Sequence, residues 1–298
     1  MELGAGKFGH YERIRLMIAM GTQFYRGDAE SEKRQSRARA SLLELDGVIP
    51  INLQFVDETF EPAGFRTLRV LRQHSGTITR SAGARKPVVS EMFGALAQAA
   101  RTHGCRYFAY INADIEVTPG AVAQVLAGNR AGYAFSRIDL DPVTRRELGV
   151  QIFGLDMFAI DAAWWARDAG RFRPYLAGEG CWDNVYASIL CAHADGDVVN
   201  ENSGIYHEAH PTAWNAGPCA EHNGYLAALD APYFSRWVQY ATALDAARRA
   251  GTHVDRRALL LRTLADARLS AAATVVQAGR QLKARTRHAW RRARGTRS

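Results

Sequence analysis

The sequence predicts an α/β chain: a Rossmann-like, mostly parallel central sheet flanked by helices, followed by a helical carboxyl-terminal extension. Three observations carry this. Short apolar runs of strand length alternate with longer runs whose apolar residues recur at helical spacing, the pattern of β-α-β units. Gly, Pro or acidic residues punctuate those runs where an element must stop. Beyond about residue 230 the strand-like runs cease and the chain becomes rich in Ala, Leu and Arg. With 47% apolar residues over 298 positions, the chain can bury an ordinary core, which excludes wholesale disorder.

Taken in order, residues 1–11 read as a flexible amino terminus; their GAGKFG lacks the GK[ST] ending of a P-loop. The first strand is expected over Ile14–Met20, ending in Gly21-Thr22-Gln23. The polar run Asp28–Arg39, followed by Ala40, Leu42, Leu43 and Leu45, reads as a helix with an apolar face. After Gly47, VIPINLQFV (48–56) is a second strand closed by Asp57-Glu58. A loop is expected over 73–86, and Pro87 opens a helix that stops at Gly104. A strand from Tyr107, a short helix from Pro119-Gly120 and a strand over Gly132–Ile138 continue the alternation. From 231 to 298 PYFSRWVQYATALDAARRAG and RRALLLRTLADARLSAAATVVQ read as helices, and a last helix carries a basic amphipathic tail. In parallel sheets of this kind, ligands sit beyond the carboxyl ends of the strands. Asp57 and the acids after Ile111 lie at such ends.

The formal net charge is +8, and eight basic residues with no acid among them lie between Arg280 and Arg297. The tail holds the whole excess and the body is neutral, which argues against a nucleic-acid-binding face. Arginines around a modest apolar stripe that includes Trp290 suit adsorption to an anionic membrane surface; a solvated helix is the alternative. Cys105, Cys181, Cys191 and Cys219 form no CxxC pair, which suits a reduced compartment. No run of about 18 apolar residues occurs, and neither a secretion signal nor a membrane span is expected. The expected location is cytoplasmic, with a peripheral position on the inner face of the membrane.

The stretch YFAYINADIEVTPGAV (107–122) ends an apolar strand in Asn112-Ala113-Asp114-Ile115-Glu116. A buried carboxylate is costly unless it is paired or bound to a cation. The run therefore reads either as a strand-ending turn with solvated acids or as a cation site. An apolar strand, then Asx-x-Asp, an apolar residue, an acid and a Pro-Gly helix start resemble the DxD signature of GT-A-type glycosyltransferases, within the nucleotide-diphospho-sugar transferase superfamily. The resemblance covers about residues 12–215. It implies a GT-A-like domain over 12–230, a UDP- or GDP-sugar donor, and Mn²⁺ or Mg²⁺ to neutralise the diphosphate. By position, Asp114 would bind the metal, and Asn112 with Ala113 would lie against ribose or sugar. Asn112 stands where the signature has Asp, which removes one charge.

The resemblance extends along the chain. Asp57 in FVDET matches an early acidic position at the base or ribose, and Gly21-Thr22 would lie beside the base. Arg80, Arg85 and Lys86 precede the central helix within reach of a diphosphate. In YLAGEGCWDNVYASIL, Asp183 stands where the family places an acceptor-side acid at a helix start, with Glu179 as the second candidate. A transfer with inversion needs a base for the attacking hydroxyl; a helix cap is the other reading of Asp183, and a retaining reaction needs no such base. In NSGIYHEAHPTAWN, His207 and His210 resemble a late His element that touches metal or diphosphate, with Trp214 nearby. Their His-x-x-His spacing is not the HExxH of zinc proteases.

The function expected is a metal-dependent glycosyltransferase, of hexosyltransferase type with inversion favoured. It would move a sugar from a nucleotide-diphosphate donor to a saccharide or lipid-linked acceptor in cell-surface polysaccharide or glycan synthesis. Two other classes stay open. A degenerate, non-catalytic GT-A domain is compatible with Asn112. A nucleotidylyltransferase would want a Gly-rich basic loop directly after the first strand, and GTQFYRGDAESEKR has the charges without the glycines.

Overall fold

The computed structural model describes residues 17–80, 85–211 and 217–264. In chain order its elements are β1 (Ile18–Thr22), α1 (Ala29–Leu43), β2 (Val48–Phe55), β3 (Arg66–Leu71), α2 (Ser75–Thr79), α3 (Val89–Thr102), β4 (Tyr107–Ile111) and β5 (Ile115–Val117). Then come α4 (Pro119–Ala127), β6 (Gly132–Leu140), β7 (Glu147–Asp161), α5 (Ala162–Asp168), α6 (Trp182–His193), β8 (Asp197–Val199) and β9 (Ile205–Glu208). Three helices follow: α7 (Pro218–Leu229), α8 (Ala231–Arg249) and α9 (Arg256–Thr263).

Among the described residues the strands build one sheet in the order β3-β2-β1-β4-β7-β6-β9-β5, with β8 beside β6. β3, β2, β1 and β4 run parallel; β7 is antiparallel to β4 and β6; β8 and β9 run parallel to β6, and β5 closes the edge antiparallel to β9. The expected α/β class, a central and mostly parallel sheet flanked by helices, is borne out. The topology has one consequence for chemistry. β1, β2 and β4 end at one edge, β6 runs the same way and overshoots that edge, and β9 joins β6 there, pairing His207 with Asp139.

Alternation along the strands feeds two cores. Ala19, Phe108 and Tyr110 face a cluster with α3, α5 and α6, whereas Met20, Tyr107, Ala109 and Ile111 face α1 and α4. In the first cluster Phe93 is ringed by Phe108, Tyr110, Phe158, Trp165, Trp182 and Tyr186, with centroids 5.3–6.5 Å away. Such aromatic packing is rigid and fixes the start of α6 through Trp182. Local signals set the ends of other elements. Asp28 caps α1 by accepting from the Ser31 amide, Asp161 caps α5, and Pro119 occupies the first turn of α4. Gly21 is required by close approach: a Cβ there would lie 2.1 Å from the Ile51 carbonyl oxygen.

The structure departs from the sequence reading in definite places. β3 was not expected; it is an edge strand whose residues are mostly exposed or half-buried, so RTLRVL carries no apolar signature. The loop expected over 73–86 holds the short helix α2. Of the acids after Ile111, Asp114 directly precedes the strand β5 and Glu116 lies within it, and α7, β8 and β9 were also unread. Described parts of the extension join the main core through Trp237, Tyr240 and Leu244 of α8. The flexible terminus 1–11, the first residues of the strand expected from Ile14, Trp214 and the basic tail lie outside the described residues. No helix among the described residues is long and apolar enough to cross a membrane.

Candidate active site

The β4 strand ends at Ile111, and the next three residues lead straight into β5, which pairs with β9. That pairing sets Ile115 opposite His207, and so brings Asp114 to the imidazoles. Asp114 Oδ2 lies 3.2 Å from His210 Nε2 and 3.6 Å from His207 Nε2, and the two Nε2 atoms are 3.1 Å apart. One ligand atom from each of the three residues falls within 4.8 Å of the others.

The surroundings fix which nitrogens face inward. His207 Nδ1 donates to Asp139 Oδ1 at 3.0 Å, and His210 Nδ1 donates to the Pro211 carbonyl at 3.0 Å. Each ring therefore turns its Nε2 lone pair toward Asp114. Two lone pairs and a carboxylate facing one another at these distances need a cation or a proton between them. A carboxylate behind a ligating histidine is the outer-shell arrangement that orients metal ligands. The residues present thus fit a divalent ion with mixed oxygen and nitrogen donors. Without one, a proton serves: burial acts to lower the His207 pKa, but its bonds to Asp114 and Asp139 outweigh burial and push it up to about 9. Burial likewise opposes ionisation of Asp114, yet the two imidazoles hold its carboxyl well below the usual range.

Beside this centre lies a polar chain. Asn112 takes a backbone bond to the Asp156 carbonyl at 3.0 Å, its Nδ2 donates to Asp156 Oδ1, and its Oδ1 accepts from the Tyr110 hydroxyl at 2.8 Å. Thr22, at the end of β1, also hydrogen-bonds to Tyr110, whose pKa is raised mainly by burial. Asp183 sits in the first turn of α6 and accepts from the Leu155 amide at 3.3 Å, next to Asp156. The cap position itself belongs to Cys181. Burial, helped by the charge of Asp156, pushes the Asp183 carboxyl up to about 7. The residue nevertheless keeps part of its surface accessible.

The turn before α6 is strained. Cys181 has φ +79°, a left-handed value unusual for a residue with a Cβ, and Gly178 has φ +68°. This turn presents Glu179, which is 5% exposed. Glu179 Oε1 accepts from Lys86 Nζ at 2.6 Å, while Oε2 is buried without a hydrogen-bond partner among the described residues.

Other expected residues lie around this centre or apart from it. Asp57 is solvent-exposed and receives both bonds from Arg85 Nη1, each 2.8 Å; Arg85 holds the Asp57 carboxyl below its ordinary value. Arg85 also reaches Glu58 and stacks 4.6 Å over Phe55, and Glu58 accepts from Gln23 just past Thr22. Gly21 is buried in the sheet, and Ala113 packs partly against the second core. Arg80 is exposed at the end of α2, and no contact between it and the Asp114 centre occurs among the described residues.

Sequence reasoning missed Arg137, Asp139, Asp156 and Tyr110. Asp156 left a usable signal, as a single acid in the apolar run IFGLDMFAI of β7. A cavity of about 840 Å³ among the described residues lies elsewhere, bounded by Gln124, Arg130, Asp197 and Arg256. Its cations are engaged with acids, Arg130 with Asp195 and Arg256 with Asp197, so its chemistry points to no ligand.

The raised carboxyl of Asp183 has a measurable effect on stability. A group that holds its proton more tightly folded than unfolded, where its value is 3.8, stabilises most at low pH. That contribution is fully present below 3.8 and is lost as pH rises through about 7. Relative to Asp183→Asn, the wild-type unfolding temperature is expected to drop between acidic and mildly alkaline buffer in scanning calorimetry. A pH-independent difference would mean an ordinary carboxyl.

No family model and no curated protein matches this sequence. Among solved structures, that of S. aureus TarS 1–349 superposes with a TM-score of 0.45 and 8% identity, over 83% of this chain and 78% of that chain. At that score the likeness assigns no role to any residue.

Proposed function

We propose that this chain is a metal-dependent glycosyltransferase that moves a sugar from a nucleotide-diphosphate donor to a saccharide or lipid-linked acceptor. The observation that carries the reading is the convergence of Asp114, His207 and His210 at the carboxyl edge of the sheet. That edge also carries Asn112, Thr22 and Asp183, each at the end of a different element.

In this reading Asp114 Oδ2 and the two Nε2 atoms hold Mn²⁺ or Mg²⁺. The ion would supply charge neutralisation of the diphosphate, for binding and for departure of the leaving group. Imidazole donors favour Mn²⁺ of the two. Asn112 and Ala113 lie against ribose or sugar. Thr22, Gln23 and Asp57, with Gly21 shaping the backbone, border the base. Arg85 and Lys86 are cations near the diphosphate path, and Arg80 is an outlying one. Asp183 takes the proton of the acceptor hydroxyl, which fits inversion and a hexosyl donor, and Glu179 lines the acceptor side. The expected setting is cytoplasmic, at the inner face of the membrane, with the basic tail on anionic lipid and with surface polysaccharide or glycan as product.

Isothermal titration of UDP and GDP, each with and without Mn²⁺, tests the reading. Binding of one nucleotide that strengthens when Mn²⁺ is present is expected. Identical heats in the two conditions, or none, would remove the enzyme reading and favour a non-catalytic domain.

A further inference from the structure

Arg137 lies on β6 two residues before Asp139, so both side chains leave the same face of the strand. Its Nε donates to Asp139 Oδ1 at 2.9 Å and its Nη1 donates to Asp156 Oδ2 at 2.9 Å. Each carboxylate has a second partner. Asp139 Oδ1 also accepts from His207 Nδ1, and Asp156 accepts from the Asn112 carboxamide through its other oxygen, Oδ1. A single guanidinium thus joins the orienting partner of a metal ligand to the orienting partner of Asn112. The Asp139 and Asp156 side chains are 13% and 7% exposed, so both ion pairs to this guanidinium lie largely away from water.

The backbone makes room for the bridge. The β6–β7 ladder breaks on both sides of Arg137: Ser136 pairs with Leu155 and Ile138 with Val150, which leaves residues 151–154 opposite Arg137 alone. Bulges of this kind re-aim side chains beside functional sites. Within it, Gly154 has no Cβ where one would stand 3.3 Å from both Cζ and Nη1 of Arg137. An ion pair that only tied β6 to β7 would need neither the bulge nor the cradle.

We propose that Arg137 is a positioning residue. By neutralising Asp139 and Asp156 together, it holds His207 with Nε2 toward the metal site and holds Asn112 in place beside it. The inference rests on the reading that Asp114, His207 and His210 bind a divalent ion. It concerns how strongly and in what geometry this chain binds that ion before any nucleotide arrives.

The test is titration of the full chain with Mn²⁺ alone, and separately with Co²⁺ followed by its visible absorption spectrum. Arg137→Ala is expected to lower Mn²⁺ affinity by roughly 10–100-fold, the usual cost of losing an outer-shell partner. It is also expected to alter the spectrum at saturating Co²⁺, which a merely structural role would leave alone. Arg137→Lys keeps the charge and should recover a substantial part of the lost affinity. Should Arg137→Ala fail to fold, Arg137→Gln, of similar length and no charge, is read the same way. Wild-type affinity and an unchanged Co²⁺ spectrum in the neutral variant, or a lysine variant no better than it, overturns the proposal and leaves the metal site standing. Failure of the wild-type protein to bind either ion overturns the metal reading itself, and this proposal with it.

Discussion

Asp114→Ala is expected to abolish Mn²⁺-dependent nucleotide binding while the protein stays folded. Asp114 is the one anionic member of the three-residue centre, and its Oδ2 faces both Nε2 atoms. Without it, only the two imidazoles remain, and a hard divalent ion gains little from them alone. The fall in Mn²⁺ affinity should exceed the roughly 10–100-fold expected for an outer-shell partner. The fold should survive, because Asp114 contributes no side chain to either core and His207 keeps its bond to Asp139. Asp57→Ala is the natural control. That carboxylate is solvent-exposed and paired with Arg85, so its loss should leave Mn²⁺ binding in the absence of nucleotide at the wild-type level. Calorimetric titration of both variants, with circular dichroism to report folding, decides the matter. An Asp114→Ala protein that still binds nucleotide more tightly with Mn²⁺ would place the ion elsewhere.

That Asp114 could be singled out from sequence has a physical reason. Acids directly after a buried strand have few inexpensive fates, and the apolar run before them marks where the strand stops. The histidine pair was legible in the same way, as a polar cluster after an apolar dipeptide. Arg137, Asp139 and Asp156 were not, because their significance is created by register. Nothing along the chain shows that β7 bulges by several residues opposite Arg137, or that β9 enters parallel to β6 and sets His207 beside Asp139. Such long-range pairings are set by packing of the whole sheet, beyond any local window. β3 was hidden for the opposite reason: an edge strand needs no continuous apolar face, so its residues look like loop. Arg80 and Arg85 were read alike, yet only Arg85 is drawn onto Asp57 and Glu58 by opposite charge.

The same reasoning separates two acids that looked similar in AGEGCWDN. Glu179 is almost fully buried and bonded to Lys86, so its charge is already used in holding the turn. Asp183 has no cation among its described partners, faces the like charge of Asp156, and retains its proton up to about 7. A general base works best when its pKa lies near the working pH, since it must be ionised and still able to accept a proton. Asp183 meets that condition.

Asp183→Asn is therefore expected to lower turnover by about 10²–10⁴-fold, the usual contribution of general acid–base catalysis. Nucleotide affinity should be nearly unchanged, because the side chain touches the Leu155 amide and none of Asp114, His207 and His210. The amide is close in shape to the carboxylic acid and removes a buried ionisable group, so the variant should fold at least as well at alkaline pH. In the wild type a base must lose its proton to act, so activity should rise with pH through about 7. The asparagine variant should lack that rise. Steady-state rates across pH, once a donor and acceptor are in hand, separate the outcomes. An undiminished rate would point to a retaining mechanism, in which no residue has to deprotonate the acceptor directly. A reduced rate that kept the wild-type pH dependence would move the proton acceptor to another group, with Glu179 the next to replace.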